Sequence, residues 1–255
     1  MRRRRLPMID AILNLLFPLA CILCNAPVRE RRWGPVCPPC WSRMKPLEPP
    51  YCPQCGMPAP SIEGLCGQCR LQEHAFDFAR SALVFNDPLR EVIHHLKYSD
   101  RVSLAYPLGT LLCECLEREP FQSHVVMPVP LHRKRERQRG FNQAGLIAES
   151  LERLNRTIDT STLYRRKNTP SQTGLSRSQR TRNLSGAFEV RGRVPECVLV
   201  IDDVFTTGST LHEVAKTLKR HGAERVEVLT VARVPSPEVR EWSGSRPAGE
   251  SAEAG

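Results

Sequence analysis

Val198-Leu199-Val200-Ile201-Asp202-Asp203-Val204-Phe205-Thr206-Thr207-Gly208-Ser209-Thr210 decides how the rest of the chain is read. The unbroken apolar run of residues 197–201 predicts a strand buried on both faces, the pattern of a parallel sheet. Such a strand delivers Asp202 and Asp203 to its carboxyl end, where open α/β sheets bind ligands. The loop behind them offers Thr206, Thr207, Gly208, Ser209 and Thr210 and runs into a helix predicted over 209–221. Hydroxyl donors, unblocked backbone N–H groups, a glycine permitting close approach and the positive end of a helix dipole together make a phosphate cradle. Two carboxylates cannot hold a phosphate; they suit the hydroxyls of a sugar. The competing reading is local: Ser209 or Thr207 merely caps a helix and the Asp pair merely solvates a strand end.

Outward from this segment, strand-like and helix-like stretches alternate. Strands are predicted at 77–86, 124–129 and 226–232, and helices at 87–97, 102–118 and 142–155. The last shows Ala144, Ile147, Ala148, Leu151 and Leu154 at helical spacing. Strands separated by helices predict an α/β domain over 76–234, a mostly parallel sheet flanked by helices. Residues 235–255, rich in Pro, Ser, Gly, Glu and Ala without periodicity, predict a disordered tail.

The first seventy residues are of a different kind. Four Cys-x-x-Cys pairs, Cys21/Cys24, Cys37/Cys40, Cys52/Cys55 and Cys66/Cys69, follow one another at intervals of 12, 11 and 10 residues. Cysteines two apart serve as a chelate or redox pair more readily than as a staple between distant loops. Four thiolates from two such knuckles give the tetrahedral sulfur shell that zinc prefers, although iron–sulfur clusters use the same ligands. Eight ligands make two sites, and sequential pairing gives two stacked ribbons over 21–72, where cross-brace pairing would interleave them. The turns Cys37-Pro38-Pro39-Cys40 and Cys52-Pro53-Gln54-Cys55-Gly56 suit knuckles whose backbone amides point at sulfur. So few apolar residues could hardly fold without metal. Cys113, Cys115 and Cys197 sit in apolar contexts and read as core.

Residues 1–20 combine Arg2 to Arg5 with an apolar run from Ala11 to Ala20, an imitation of a secretory signal without a clean small-x-small cleavage site. They are read as a basic, apolar helix ahead of the first knuckle. Thiolate–metal chemistry fits a reducing cytoplasm. No apolar run reaches the roughly eighteen residues of a membrane span, so stable membrane insertion is not expected. Forty per cent hydrophobic residues excludes wholesale disorder, and collagen-like and coiled-coil periods are absent.

The net charge of +10 is concentrated: residues 131–182 hold thirteen Lys and Arg against four Asp and Glu. An anionic partner is expected there, and arginine's planar fork suits phosphate. Arg133, Lys134, Arg135, Arg137 and Arg139 form a run dense enough to meet a nucleic-acid backbone, in a sequence-independent and mostly electrostatic way. The same run is also what a solvated face looks like.

The thirteen-residue string resembles the phosphoribosyl pyrophosphate signature of type I phosphoribosyltransferases. His95-Leu96-Lys97-Tyr98, Pro128-Val129-Pro130-Leu131-His132, Arg139-Gly140-Phe141-Asn142-Gln143, Thr169-Pro170-Ser171-Gln172-Thr173-Gly174-Leu175 and Arg182-Asn183-Leu184-Ser185-Gly186-Ala187-Phe188 resemble, in that order, the ComF family. That family also carries an N-terminal double zinc ribbon, so the resemblance spans about residues 10–234. It implies a type I phosphoribosyltransferase-like sheet, structural Zn²⁺ at two sites, and Mg²⁺ arriving with phosphoribosyl pyrophosphate or a related sugar phosphate. By the same resemblance Asp202 and Asp203 contact the ribose hydroxyls, directly or through Mg²⁺, and Thr206 to Thr210 enclose the 5′-phosphate. Pro130, Leu131 and His132 lie where pyrophosphate is held, and residues 168–184 form a mobile flap whose Arg177, Arg180 and Arg182 clamp its oxygens. The family is associated with competence and DNA uptake. A second reading follows, a non-catalytic DNA-binding or DNA-processing factor acting through 131–182, with single-stranded DNA and DNA-uptake or recombination proteins as partners. The acceptor of the phosphoribosyl group and retention of catalysis stay open, and related enzymes often form homodimers.

Overall fold

The computed structural model describes residues 19–58, 64–169 and 183–236. The Cys-rich segment contains β1 (Leu19–Ala20), β2 (Pro27–Val28), α1 (Pro38–Trp41) and α2 (Gly67–Leu71). The α/β domain then runs β3 (Phe78–Val84), α3 (Asp87–Tyr98), α4 (Ala105–Arg118), β4 (Val125–Pro128), α5 (Arg133–Arg139), α6 (Gln143–Ala148), β5 (Thr157–Ile158), β6 (Leu163–Arg165), β7 (Phe188–Val190), β8 (Cys197–Phe205), α7 (Ser209–Arg220) and β9 (Arg225–Arg233). Five strands form one parallel sheet in the order β3-β9-β8-β4-β5, with β8 and β9 central and almost wholly buried. β6 and β7 form a separate antiparallel pair.

Local chemistry accounts for the helices. Asn86 caps α3 by accepting from the Leu89 amide at 3.2 Å, Pro88 occupies the first turn, and Leu89, Val92, Ile93 and Leu96 bury one face. That leaves His94, Lys97 and Tyr98 free to project beyond the ends of the strands. α4 and α6 approach so closely at Gly109 that a Cβ there would lie 2.6 Å from the Ile147 carbonyl oxygen.

The segments predicted from periodicity are present, with four differences. The helix expected at 102–118 begins as a 3-10 turn, Val102–Leu104, and the one expected at 142–155 is α6 followed by a 3-10 turn, Glu149–Leu154. α5 was not anticipated: seven charged and amide residues have no apolar face to read, and the helix is capped by His132 and ended by Gly140 at φ +82°. The helix expected to reach residue 20 does not, because Leu19–Ala20 pairs as a strand with Pro27–Val28. Residues 1–18 and 237–255 lie outside the described residues, as does 170–182, which holds Arg177, Arg180 and Arg182.

The Cys-rich segment precedes the α/β domain in sequence but shares its core. Pro46 bridges Leu83, Val84 donates to the Lys45 carbonyl at 2.9 Å and Leu47 to the Ala82 carbonyl at 3.0 Å, so 45–47 covers the free edge of β3. Cys21, Cys37, Cys40 and Trp41 pack with Leu89, Ile93 and Leu104 on one side. Cys52, Cys55 and Cys69 pack with Phe76, Phe205, Leu211 and Val214 on the other. Among the described residues, no helix is long and apolar enough to cross a membrane.

Candidate functional site

Two groups of four cysteines form, Cys21/Cys24/Cys37/Cys40 and Cys52/Cys55/Cys66/Cys69, the sulfurs of each all within 4.8 Å of one another. This is the sequential pairing. Cys24 and Cys37 Sγ stand 3.6 Å apart, as do Cys55 and Cys66 Sγ. A tetrahedral zinc with bonds of about 2.3 Å separates its sulfurs by about 3.8 Å, so these shells fit the ion. They are far too wide for disulfides. In both, the amide of the third cysteine points at the sulfur of the first, Cys37 to Cys21 and Cys66 to Cys52, each at 3.4 Å. Cys113 and Cys115 are buried as expected and Cys197 half-buried.

At the carboxyl ends of β4 and β8 lies a cavity of about 500 Å³. β8 supplies Asp202 and Asp203, the loop beyond it Thr206, the first turn of α7 Thr210, and the stretch after β4 Pro130 and Leu131. Lys97 and Tyr98 enter from α3, Arg135 and Arg139 from α5, and Arg165 from β6. Cations on three elements thus converge on a carboxylate pair.

Asp203 is buried, and its Oδ2 stands 2.6 Å from Lys97 Nζ. Burial pulls the Lys97 ammonium down, but the Asp203 carboxylate more than offsets this and the net shift is upward. Asp202 turns its Oδ1 to the Asp203 amide at 2.8 Å. Burial first, and then the neighbouring Asp203 charge, push the Asp202 carboxyl up to about 7, against the pull of Lys97. Burial also lowers the Arg139 and Arg165 guanidinium groups from their usual range, yet such groups stay charged at neutral pH.

The loop after β8 turns sharply at Gly208 into α7. Gly208 takes φ +78°, a left-handed conformation, and stands so near Phe205 that a Cβ would lie 2.6 Å from the ring. Thr207 Oγ1 and Ser209 Oγ share a 3.0 Å hydrogen bond at the start of α7, whose first-turn amides face the same end of the sheet.

The structure brings together Asp202, Asp203, Thr206, Thr210, Pro130 and Leu131 around one cavity. His132, next to Leu131 and bridged to Arg165, does not itself line the cavity; its Nδ1 accepts from the Lys134 amide at 3.2 Å as the cap of α5. Sequence reasoning missed Lys97, Arg165 and the division of the basic run. Arg135 and Arg139, four apart on one face of α5, line the cavity, while Arg133, Lys134 and Arg137 are exposed. The i,i+4 spacing was the signal that separated them.

The chain matches the double zinc ribbon domain over residues 12–70 and the phosphoribosyl transferase domain over residues 137–244. The DNA utilization protein YhgH of Escherichia coli is 35% identical over 229 residues, covering 86% of this chain and 99% of that protein. Competence protein F of Haemophilus influenzae is 32% identical over 228 residues, 85% of this chain and 98% of that protein. Among solved structures, a hypoxanthine phosphoribosyltransferase from Staphylococcus aureus is similar with a TM-score of 0.33 and 15% identity, over 58% of this chain and 69% of that one.

Proposed function

The chain belongs to the ComF family, which joins a double zinc ribbon to a phosphoribosyltransferase domain, and from that premise we propose that it binds phosphoribosyl pyrophosphate with Mg²⁺ in the cavity at Asp202 and Asp203. The observation that carries this reading is the convergence of Lys97, Arg135, Arg139 and Arg165 on one cavity beside the carboxylate pair and the 206–210 loop. A ligand with two anionic ends and a hydroxyl-bearing ring between them matches that layout.

In this reading the amides and hydroxyls of 206–210 hold the 5′-phosphate at the amino end of α7. Asp202 and Asp203 accept from the ribose hydroxyls. Arg135, Arg139 and Arg165 take the pyrophosphate oxygens as charge-assisted donors. Mg²⁺, when bound with the ligand, supplies further neutralisation of the diphosphate. In transfer, the bond from the anomeric carbon to the pyrophosphate oxygen breaks and one to the acceptor nucleophile forms. The protein stabilises the departing charge and excludes water, and no protein nucleophile is required. Residues 168–184, with Arg177, Arg180 and Arg182, complete the clamp as a flap in this proposal.

Calorimetric titration of the zinc-replete chain with phosphoribosyl pyrophosphate and Mg²⁺ tests the reading. Micromolar binding lost in Asp202→Asn/Asp203→Asn is expected; no binding by a folded wild type overturns it.

A second reading rests on the exposed face of α5, where Arg133, Lys134 and Arg137 point away from the cavity. That face suits a single-stranded DNA backbone, in keeping with the names of the relatives, a DNA utilization protein and a competence protein.

A further inference from the structure

Arg233 closes β9 directly beside Phe205, its register partner at the end of β8. Only 1% exposed, its Nη1 donates to the carbonyls of Phe205 at 3.0 Å and Thr206 at 2.7 Å. The guanidinium lies 3.8 Å from the centre of the Phe205 ring, and Nη2 stands 4.0 Å from Cys55 Sγ. One side chain therefore touches the base of the phosphate loop and the second four-cysteine cluster. Phe205 continues the wedge: its ring meets Phe76 and His74 edge-on and lies under Gly208.

A buried cation needs a counter-charge. Among the described residues, no carboxylate forms an ion pair with Arg233. Four thiolates on a divalent ion leave a formal charge of about −2, which makes the second cluster the available counter-charge. The first cluster has no such link: its cysteines pack with Leu89, Ile93 and Leu104 in the other half of the core, away from Phe205.

We propose that Arg233 is a positioning residue for the 206–210 loop, held in place by the second four-cysteine site, so that this site and not the first controls phosphate binding at the loop. The identity of the phosphate ligand rests on the function proposed above; the mechanical link does not.

The test uses the full zinc-loaded chain. Hydrogen exchange is followed on peptides spanning 203–212 while a chelator strips the wild type, and alkylation of each cysteine reports which site has opened. Loop exchange is expected to rise at least tenfold in step with alkylation of Cys52, Cys55, Cys66 and Cys69, and to ignore alkylation of Cys21, Cys24, Cys37 and Cys40. Arg233→Lys, which keeps the charge but loses the fork, is expected to speed the same exchange and to weaken phosphoribosyl pyrophosphate at least tenfold. Loop exchange that follows the first site, or neither, overturns the proposal, as does Arg233→Lys with both zinc ions bound and an unchanged loop. Should wild type not bind phosphoribosyl pyrophosphate at all, the function fails while the exchange result still decides the role of Arg233.

Discussion

Lys97 on α3 and Asp203 on β8 meet across the cavity, Nζ to Oδ2 at 2.6 Å, with the Asp203 side chain nearly closed off from water and the Lys97 side chain about one-fifth exposed. Removing one partner of such a pair leaves the other charge uncompensated, which costs more than the pair itself contributes. Lys97→Met is expected to destabilise the ligand-free protein by about 2 kcal/mol, discounted for the exposure of the amine. Lys97→Met/Asp203→Asn is expected to recover most of that loss. Denaturant melts of the four proteins in the cycle check the coupling, and strictly additive losses would show that the two groups do not interact.

Asp202 makes stability depend on pH in an unusual direction for a carboxylate. Its folded-state value of about 7 lies above the 3.8 of a free side chain. The protonated form is therefore favoured by folding, and its contribution is complete below about pH 4 and lost as pH rises through 7. Relative to Asp202→Asn, the wild type is expected to lose stability between pH 4 and 7, by an amount on the order of a few kcal/mol. The comparison cancels the titration of other groups. A flat difference across that range would mean that Asp202 ionises freely.

What was legible in the sequence was what periodicity and spacing encode. The buried run ending at Asp202, the turn through Gly208 and four evenly spaced cysteine pairs each specify a local geometry, and the structure shows both clusters paired in sequence order. The cations of the site were not legible, because their meaning is tertiary. Lys97 ends an amphipathic helix where a solvated lysine is the ordinary finding, and only the β8–α3 approach turns it toward Asp203. Arg165 stands in a three-residue strand, its register partner Phe188 on β7. Arg233 looks like a polar strand end, yet it is buried against a cysteine 178 positions earlier.

Gly208 carries two separable costs of substitution. Its φ of +78° penalises most side chains, Asn and Asp least, by about 1 kcal/mol or more, and a Cβ would meet the Phe205 ring at 2.6 Å. Gly208→Ala is expected to cost about 2 kcal/mol and to weaken binding of the sugar phosphate. Gly208→Asn tolerates the backbone conformation but keeps the clash, so it is expected to be nearly as harmful. Gly208→Ala/Phe205→Leu is expected to restore part of the loss by making room, measured against Phe205→Leu alone. An Asn variant as stable as wild type would leave the backbone conformation as the sole constraint.

The two faces of α5 give the sharpest separation between pocket and surface. Arg135 and Arg139 line the cavity; Arg135 also donates to the Thr169 carbonyl at 3.3 Å, and Arg139 lies 5.2 Å over the Tyr98 ring. Arg133, Lys134 and Arg137 face solvent. Arg135→Ala/Arg139→Ala is expected to weaken phosphoribosyl pyrophosphate at least tenfold, since each charge-assisted hydrogen bond contributes roughly 1.5–3 kcal/mol. Arg133→Ala/Lys134→Ala/Arg137→Ala is expected to leave that affinity within twofold. On single-stranded DNA the order reverses: the triple variant should lower the slope of log K against log salt by about 2, at roughly 0.7 per phosphate contact. Fluorescence anisotropy across a salt series reads the second effect and calorimetry the first. If the triple variant lost sugar-phosphate binding while keeping its DNA salt slope, the division of α5 into a cavity face and a nucleic-acid face would be wrong, and the whole helix would belong to the pocket.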